Sequence, residues 1–364
     1  MNVPEPVAAI AALPLVRPFV APEELARQAG VTSLVRLGAN ESAFGPSPLA
    51  LSAMHDEVAR SSWYGDPESL ELREALAARH GCAFTNVCVG AGIDDLMGLF
   101  VRAYLAPGDV TVAARGTYAT YGYHVGGYGA DLVTVPYHPG GTVALDELAR
   151  LARELRARVV YLANPDNPSG SFASRADVAQ LRDALPPDCM LLLDEAYADF
   201  VATPDRLPED LDPRVARLRT FSKAYGMAGA RVGYIVAPER VIESFDKIRL
   251  QFGTGRVAQA GALASLRDDA FVAGVVAETA RGRDEYAALA RTLGLATLPS
   301  HTNFVCIEIG SRARAEALVA DLLRRGVFVR KPAAAPLDGC IRVSVGNAAE
   351  RATFAERFAA ALAV

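Results

Sequence analysis

Apolar and polar positions along the middle of the chain fall into short blocks that predict a strand, then a helix, several times over. Strands are predicted at 86–89, 109–113, 131–136, 158–163, 190–194, 215–221 and 232–237, with helical stretches between most of them. The run Cys189-Met-Leu-Leu-Leu is apolar almost without interruption, which fits a central strand covered on both faces. Upstream lie a short helix at 23–29, a strand at 33–37, a loop at 38–48 rich in Gly and Pro, and helices at 48–61 and 69–80. After Pro238 the pattern changes to long helices, at 239–251 and from 257 to about 293 with a break near Gly274. Strands at 304–309, 327–330 and 340–345 and helices at 312–325 and 348–362 complete the chain.

This order predicts an α/β fold, a large domain with a mostly parallel sheet flanked by helices plus a smaller α+β C-terminal domain. A chain of 364 residues exceeds the roughly 250–300 at which one core stops growing, so two units are expected. We assign 1–40 to an N-terminal arm and part of the small domain, 41–255 to the large domain and 256–364 to the small one.

Composition narrows the partners. A net charge of −5 and no run of Lys or Arg argue against nucleic acid and an anionic membrane surface, which leaves small molecules. No apolar run approaches the ~18 residues of a membrane helix, and prolines at 4, 6, 14, 18 and 22 interrupt the apolar N-terminus. That segment is expected to be an irregular arm packing on a neighbour. The five cysteines are scattered without metal-ligand spacing, as buried thiols of a cytoplasmic protein would be. The five histidines show no ligand spacing either, so no metal is expected.

Candidate chemistry centres on Thr220-Phe-Ser-Lys-Ala-Tyr-Gly-Met-Ala-Gly-Ala-Arg-Val-Gly at 220–233. Lys223 follows a predicted strand, is flanked by the hydroxyl of Ser222 and is followed by the cation Arg231. Gly226 and Gly229 would permit close backbone approach. An amine so placed suits condensation with a phosphorylated aldehyde cofactor, although a lone lysine is ordinarily a solvated charge. Asp194 closes a buried strand, where a carboxylate is costly unless it meets a cation, though a capping Asp is the commoner role. Tyr197 lies just beyond it. Asn167 sits in the loop Asn164-Pro-Asp-Asn-Pro-Ser-Gly, and Gly90-Ala-Gly-Ile-Asp places Gly92, Ile93 and Asp94 at a strand-to-helix turn whose free N–H groups suit a phosphate. Tyr118, in a run of aromatics, is either core filler or a surface for a flat ring.

Together these residues resemble the fold-type I aminotransferases that depend on pyridoxal 5'-phosphate, above all the histidinol-phosphate aminotransferases. The resemblance runs from Leu37-Gly-Ala-Asn-Glu through Asn164-Pro-Asp-Asn-Pro-Ser-Gly, Asp194-Glu-Ala-Tyr and Phe221-Ser-Lys-Ala-Tyr-Gly-Met-Ala-Gly-Ala-Arg-Val-Gly-Tyr to Ile341-Arg-Val-Ser-Val-Gly. It implies that 41–255 binds the cofactor, with Lys223 as its covalent attachment point and proton carrier. Asp194 then pairs with the ring nitrogen, Tyr197 and Asn167 bond the ring oxygen, and Tyr118 stacks on the ring. Ser222, Arg231 and the amides of Gly92, Ile93 and Asp94 hold the phosphate. Tyr64 joins them from a second subunit, which implies a homodimer with shared active sites. Arg342 grips a substrate carboxylate, Arg330 is a second substrate cation, and Asn40 lies at the substrate mouth.

The implied reaction moves an amino group from a histidinol phosphate-like or aromatic donor to a 2-oxo acid such as 2-oxoglutarate. A decarboxylase of a phosphorylated amino acid, resembling threonine-phosphate decarboxylases, and a non-catalytic binding protein on the same fold are the alternatives. Three stretches depart from the family pattern, the first two expected near the substrate mouth and the third near the domain junction. Trp63-Tyr-Gly-Asp-Pro stands for Arg-Tyr-Pro-Asp-Pro, Asn40-Glu-Ser-Ala for Asn-Glu-Asn-Pro, and Phe252-Gly-Thr-Gly for Phe-Asn-Val-Asn, the last followed by a new cation, Arg256.

Overall fold

The computed structural model describes residues 3–15, 19–202 and 211–363; of the expected N-terminal arm, 1–2 and 16–18 lie outside the described residues. Among the described residues eleven strands occur: β1 (Val35–Arg36), β2 (Val87–Gly90), β3 (Val110–Ala114), β4 (Asp131–Val135), β5 (Val159–Ala163), β6 (Met190–Asp194), β7 (Val215–Thr220), β8 (Gly233–Val236), β9 (Phe304–Glu308), β10 (Val327–Phe328) and β11 (Cys340–Ser344). Strands β2 to β8 form one sheet in the order β2-β8-β7-β6-β5-β3-β4. From β7 to β4 all neighbours are parallel, whereas β8 runs antiparallel to both β7 and β2.

β6 lies in the middle of this sheet, and its side chains explain the unbroken apolar run. Because successive residues point to opposite faces, Leu192 enters the cluster with Phe100 and Leu218, while Leu191 and Leu193 enter the one with Leu148 and Leu181. β7 is buried along almost its whole length. Arg217 and Arg219, two apart on one face, are both buried, because Glu195 at the end of β6 turns to meet them.

A second lobe is built on β9 and β11, paired antiparallel, with β1 and β10 paired in parallel beside them. Helices Asp269–Thr292, Arg312–Arg324 and Ala348–Leu362 supply its core, in which Tyr286, Phe354 and Phe358 are fully buried. Strand β1 therefore carries the N-terminal segment into the small lobe. Helix Arg256–Ser265, expected to open the small domain, instead packs through Ala258 and Ala262 with Leu72, Leu76 and Phe221 of the large layer. The break between the long helices falls after this helix and not at Gly274. Asp268 accepts from the Phe271 amide at 3.3 Å and caps helix Asp269–Thr292, so Gly274 lies inside a helix facing open space. The arm contains one helical turn, Ala8–Ala11, with Leu13 against Gly126 of this same chain. No helix among the described residues is long and apolar enough to cross a membrane.

Candidate active site

Loops at the carboxyl ends of β5, β6 and β7, where an open α/β sheet places its ligands, meet residues 38–41 and β11 around a cavity of about 530 Å³. Lys223, Asp194, Tyr197, Asn167, Ser222, Arg231, Tyr118, Ile93, Asp94, Arg342, Arg330 and Asn40 all line it. Gly92 caps the helix beside it.

Lys223 follows β7 and sits half-buried, its Nζ donating to the Asn40 carbonyl at 3.0 Å and lying 5.7 Å from the Tyr197 ring centre. Burial, and then the charge of Arg342, bring its pKa down from 10.5 to about 8. A nucleophilic free amine is thus accessible close to neutral pH. The turn after it depends on Gly226, which has φ +70° and whose backbone lies so close to the Gly45 carbonyl that a Cβ would stand 1.9 Å from it. The close approach expected at Gly229 is absent, since that residue faces open space.

Asp194 is buried on the opposite side. Its Oδ2 accepts from the Tyr161 hydroxyl at 2.6 Å and its Oδ1 from the Ala196 amide at 3.0 Å. Burial outweighs these bonds and raises its carboxyl to about 6. No Lys or Arg among the described residues pairs with it, so this acid is placed to meet a cationic N–H from a ligand.

Tyr197 receives the Asn40 amide, Nδ2 to hydroxyl at 2.9 Å, and burial raises its pKa to about 12, so it remains a neutral donor. Asn40 is itself held in the left-handed region at φ 54°. Its N–H donates to Ser344 Oγ, and the same hydroxyl donates to its Oδ1, both at 3.0 Å. Its side chain thus holds Tyr197 and ties the N-terminal segment to β11.

At the phosphate-like end, helix Ile93–Tyr104 starts at Gly92, φ +88°, and points its free N–H groups outward. A Cβ on Gly92 would lie 2.5 Å from Arg231 Nη2, so the missing side chain leaves room for the guanidinium beside the helix start. Arg231 is another non-glycine residue at positive φ, 54°, an uncommon backbone that accumulates at functional sites. Its Nη2 lies 3.5 Å from the Asp94 carboxylate, which also accepts from the Tyr118 hydroxyl at 2.9 Å. The helix N-terminus, this guanidinium and Ser222 line one end of the same cavity, where their N–H and O–H groups suit an anion.

Arg342 projects from β11, Nη1 donating to Asn167 Oδ1 and Nη2 to the Gly38 carbonyl at 3.1 Å. Its Nε is buried without a partner among the described residues, and burial lowers its pKa. Asn167 thereby has its oxygen occupied and its amide N–H groups left for an acceptor. Its loop is stiffened by Asp166, which accepts from Tyr137, from the Ser169 amide and from the Ser169 hydroxyl. Arg330 bridges β11 through the backbone of Arg342, and its guanidinium lies 5.6 Å from the Phe19 ring centre.

Tyr64 is not among the residues lining this cavity. It is 77% exposed and rests on Phe252, ring centres 4.5 Å apart. Of the two departing stretches expected near the mouth, only the one with Asn40 and Glu41 lines the cavity. Trp63–Gly65 and Arg256 lie together elsewhere on the molecule, joined by hydrogen bonds. Several cavity or supporting residues were not anticipated: Tyr161, Phe19, Lys331 and Asp166. A single Tyr in the otherwise aliphatic β5 was a usable signal for the first; Phe19 gives none, because its position depends on where the arm folds. Among the described residues no group of His, Cys, Asp and Glu could hold a metal.

The donor set fits a phosphorylated pyridine aldehyde, with an amine, a buried acid, a phenol and an anion cradle around one space. The family model for aminotransferase class I and II matches residues 32–358. The chain is 37% identical over 348 residues to the histidinol-phosphate aminotransferase of Anaeromyxobacter sp. (strain Fw109-5), covering 92% of this chain and 95% of that protein. It is 38% identical over 350 residues to the enzyme of the same name from Roseiflexus castenholzii, covering 93% of each. The crystal structure of histidinol-phosphate aminotransferase from Sinorhizobium meliloti in complex with pyridoxal-5'-phosphate superposes with a TM-score of 0.95 at 40% identity, covering 100% of this chain and 98% of that one. With its sheet, its loops and the sequence from 32 to 358 all in agreement, the chain belongs to the class I and II aminotransferases.

Proposed function

We propose that this protein is a pyridoxal 5'-phosphate-dependent aminotransferase that takes histidinol phosphate as amino donor and 2-oxoglutarate as acceptor. The observation that carries the reading is the convergence of Lys223, with its amine brought down to about 8, and the buried, unpaired Asp194 on one cavity that ends in an anion cradle. When bound, the cofactor supplies an electron sink for the substrate α-carbon. Asp194 would hold the ring nitrogen in its protonated form, which keeps the sink effective. Tyr197 and the N–H groups of Asn167 would bond the ring oxygen, Tyr118 would lie against the ring, and the amides of Gly92, Ile93 and Asp94 with Ser222 and Arg231 would hold the phosphate. Lys223 would be the residue that holds the cofactor aldehyde, and its amine would carry a proton at the substrate α-carbon.

Substrate anions meet Arg342, whose orphaned Nε and planar fork suit a carboxylate, and Arg330. Two cations in one pocket suit both a phosphate-bearing donor and a dicarboxylate acceptor. The donor's identity rests on the names of relatives at 37–38% identity. We also infer a homodimer in which Tyr64 reaches the partner's phosphate site. Its exposure, with Trp63, Leu250 and Phe252 exposed nearby, gives an apolar surface that a second copy would cover. Free, mostly buried cysteines suit a reducing compartment such as the cytoplasm.

The test is a donor-by-acceptor screen on the cofactor-loaded protein with histidinol phosphate, aromatic amino acids and threonine phosphate. Glutamate formed from 2-oxoglutarate with histidinol phosphate in clear preference is the expected result. Preference for an aromatic donor would overturn the substrate, and carbon dioxide release without amino transfer would overturn the reaction.

A further inference from the structure

We propose that Arg256 is a positioning residue for Tyr64, a guanidinium clamp that sets the pose in which Tyr64 is offered to the partner's cofactor phosphate. The proposal rests on the reading that Tyr64 acts across a dimer.

Two of the stretches that depart from the family pattern, 63–67 and 252–256, meet here. Arg256 Nε donates to the Trp63 carbonyl at 3.3 Å and Nη2 to the Tyr64 carbonyl at 3.0 Å, while Nη1 pairs with Glu57. The side chains of Arg256 and Glu57 are only 22% and 18% exposed. A planar fork bonded to two successive carbonyls fixes both peptide planes, and with them the direction in which the Tyr64 side chain leaves the backbone. Arg256 is the first residue of helix Arg256–Ser265, where a cation is disfavoured by the helix dipole, so helix stability does not explain it.

Gly65 completes the clamp. A Cβ there would lie 3.1 Å from the Arg256 amide nitrogen and 3.0 Å from Gln259 Nε2, so the absence of a side chain lets the loop settle on the helix start. Gln259 Nε2 then donates to the Asp66 carbonyl at 2.9 Å, and the ring of Tyr64 leans on Phe252. Loop and helix thus hold the stem of a tyrosine whose hydroxyl has no partner among the described residues. The molecule secures an exposed ring from beneath, as expected for a group that acts on another chain.

The experiment measures dissociation constants of pyridoxal 5'-phosphate and of phosphate-free pyridoxal on the full-length protein. The variants are Tyr64→Phe, Arg256→Met and the double variant, with Gly65→Ala as a second disturbance of the clamp should Arg256→Met fold poorly. Loss of a hydrogen bond to phosphate in Tyr64→Phe is expected to weaken the phosphorylated ligand by about tenfold or more. Arg256→Met, acting one step removed, is expected to weaken it by about three- to tenfold, leave pyridoxal unchanged, and add nothing in the double variant. Equal losses for both ligands, or losses that add in the double variant, would reduce Arg256 to a structural tie and overturn the proposal. No loss in Tyr64→Phe would instead overturn the dimer reading of Tyr64, and the clamp's purpose with it.

Discussion

Lys223 and Asp194 show how far single residues are tuned by their surroundings, and in opposite senses. Burial disfavours the charged form of each, lowering the lysine to about 8 and raising the aspartic acid to about 6. In the cofactor-free protein, the rate at which pyridoxal phosphate attaches covalently should rise with a midpoint near pH 8, followed by absorbance. Arg342→Ala removes the second cause of the depression and should move that midpoint upward. For Asp194 the sign is that of an acid raised on folding: its contribution is favourable below the unfolded value of 3.8 and is lost as pH rises through about 6. Asp194→Asn should therefore stabilise the cofactor-free protein at pH 7.5 by about 2 kcal/mol, somewhat less than the shift implies because one acceptor is lost, and do nothing at pH 3.5. Denaturant unfolding at both pH values checks this, while amino transfer should collapse.

At the level of elements, β6 and β7 are locked by charge where they deliver the site. Glu195 Oε1 accepts from Arg217 Nη2 at 2.8 Å and Oε2 from Arg219 Nε at 2.7 Å, with all three side chains buried. Burial alone would raise this carboxyl; the charges of Arg219 and Arg217 together hold it at about 2. Removing the acid takes from two buried guanidinium groups the carboxylate they share, which costs about 3–5 kcal/mol. Glu195→Ala is expected to lose that much by urea unfolding at neutral pH, against a much smaller loss for Glu154→Ala, an acid in an exposed ion pair with Arg150. Since Asp194 precedes Glu195, the same substitution should also loosen the cofactor.

Across the whole molecule, the site exists only because the two lobes and the N-terminal segment meet. Arg342 of the small lobe bonds Asn167 of the large layer and the Gly38 carbonyl, and Asn40 joins Tyr197, Lys223 and Ser344. By packing, we place the division between the lobes near Asp268, since helix Arg256–Ser265 shares the core of the large layer. If a second copy completes each site, mixing Tyr64→Phe with Lys223→Ala should restore activity at limiting cofactor. A hybrid dimer has one site with both native groups. Recovery above the sum of the parents, measured after refolding the mixture, is the expected outcome, and simple dilution would point to independent sites.

Much of this was legible in the residues alone, because it depends on local periodicity and on side chains at strand ends. The alternating blocks placed the sheet strands to within a residue or two, and the motifs around Asn167, Asp194, Lys223 and Arg342 nominated residues that do share one cavity. What lay beyond the sequence were contacts between distant segments. The burial of Arg217 and Arg219 depends on where Glu195 turns, Phe19 on how the arm folds, and the helix break on the capping side chain of Asp268. Nor could spacing reveal that Arg256, expected near the domain junction, bonds the Tyr64 carbonyl 192 positions away. Periodicity reports which face of an element is covered, whereas only the tertiary structure decides what covers it.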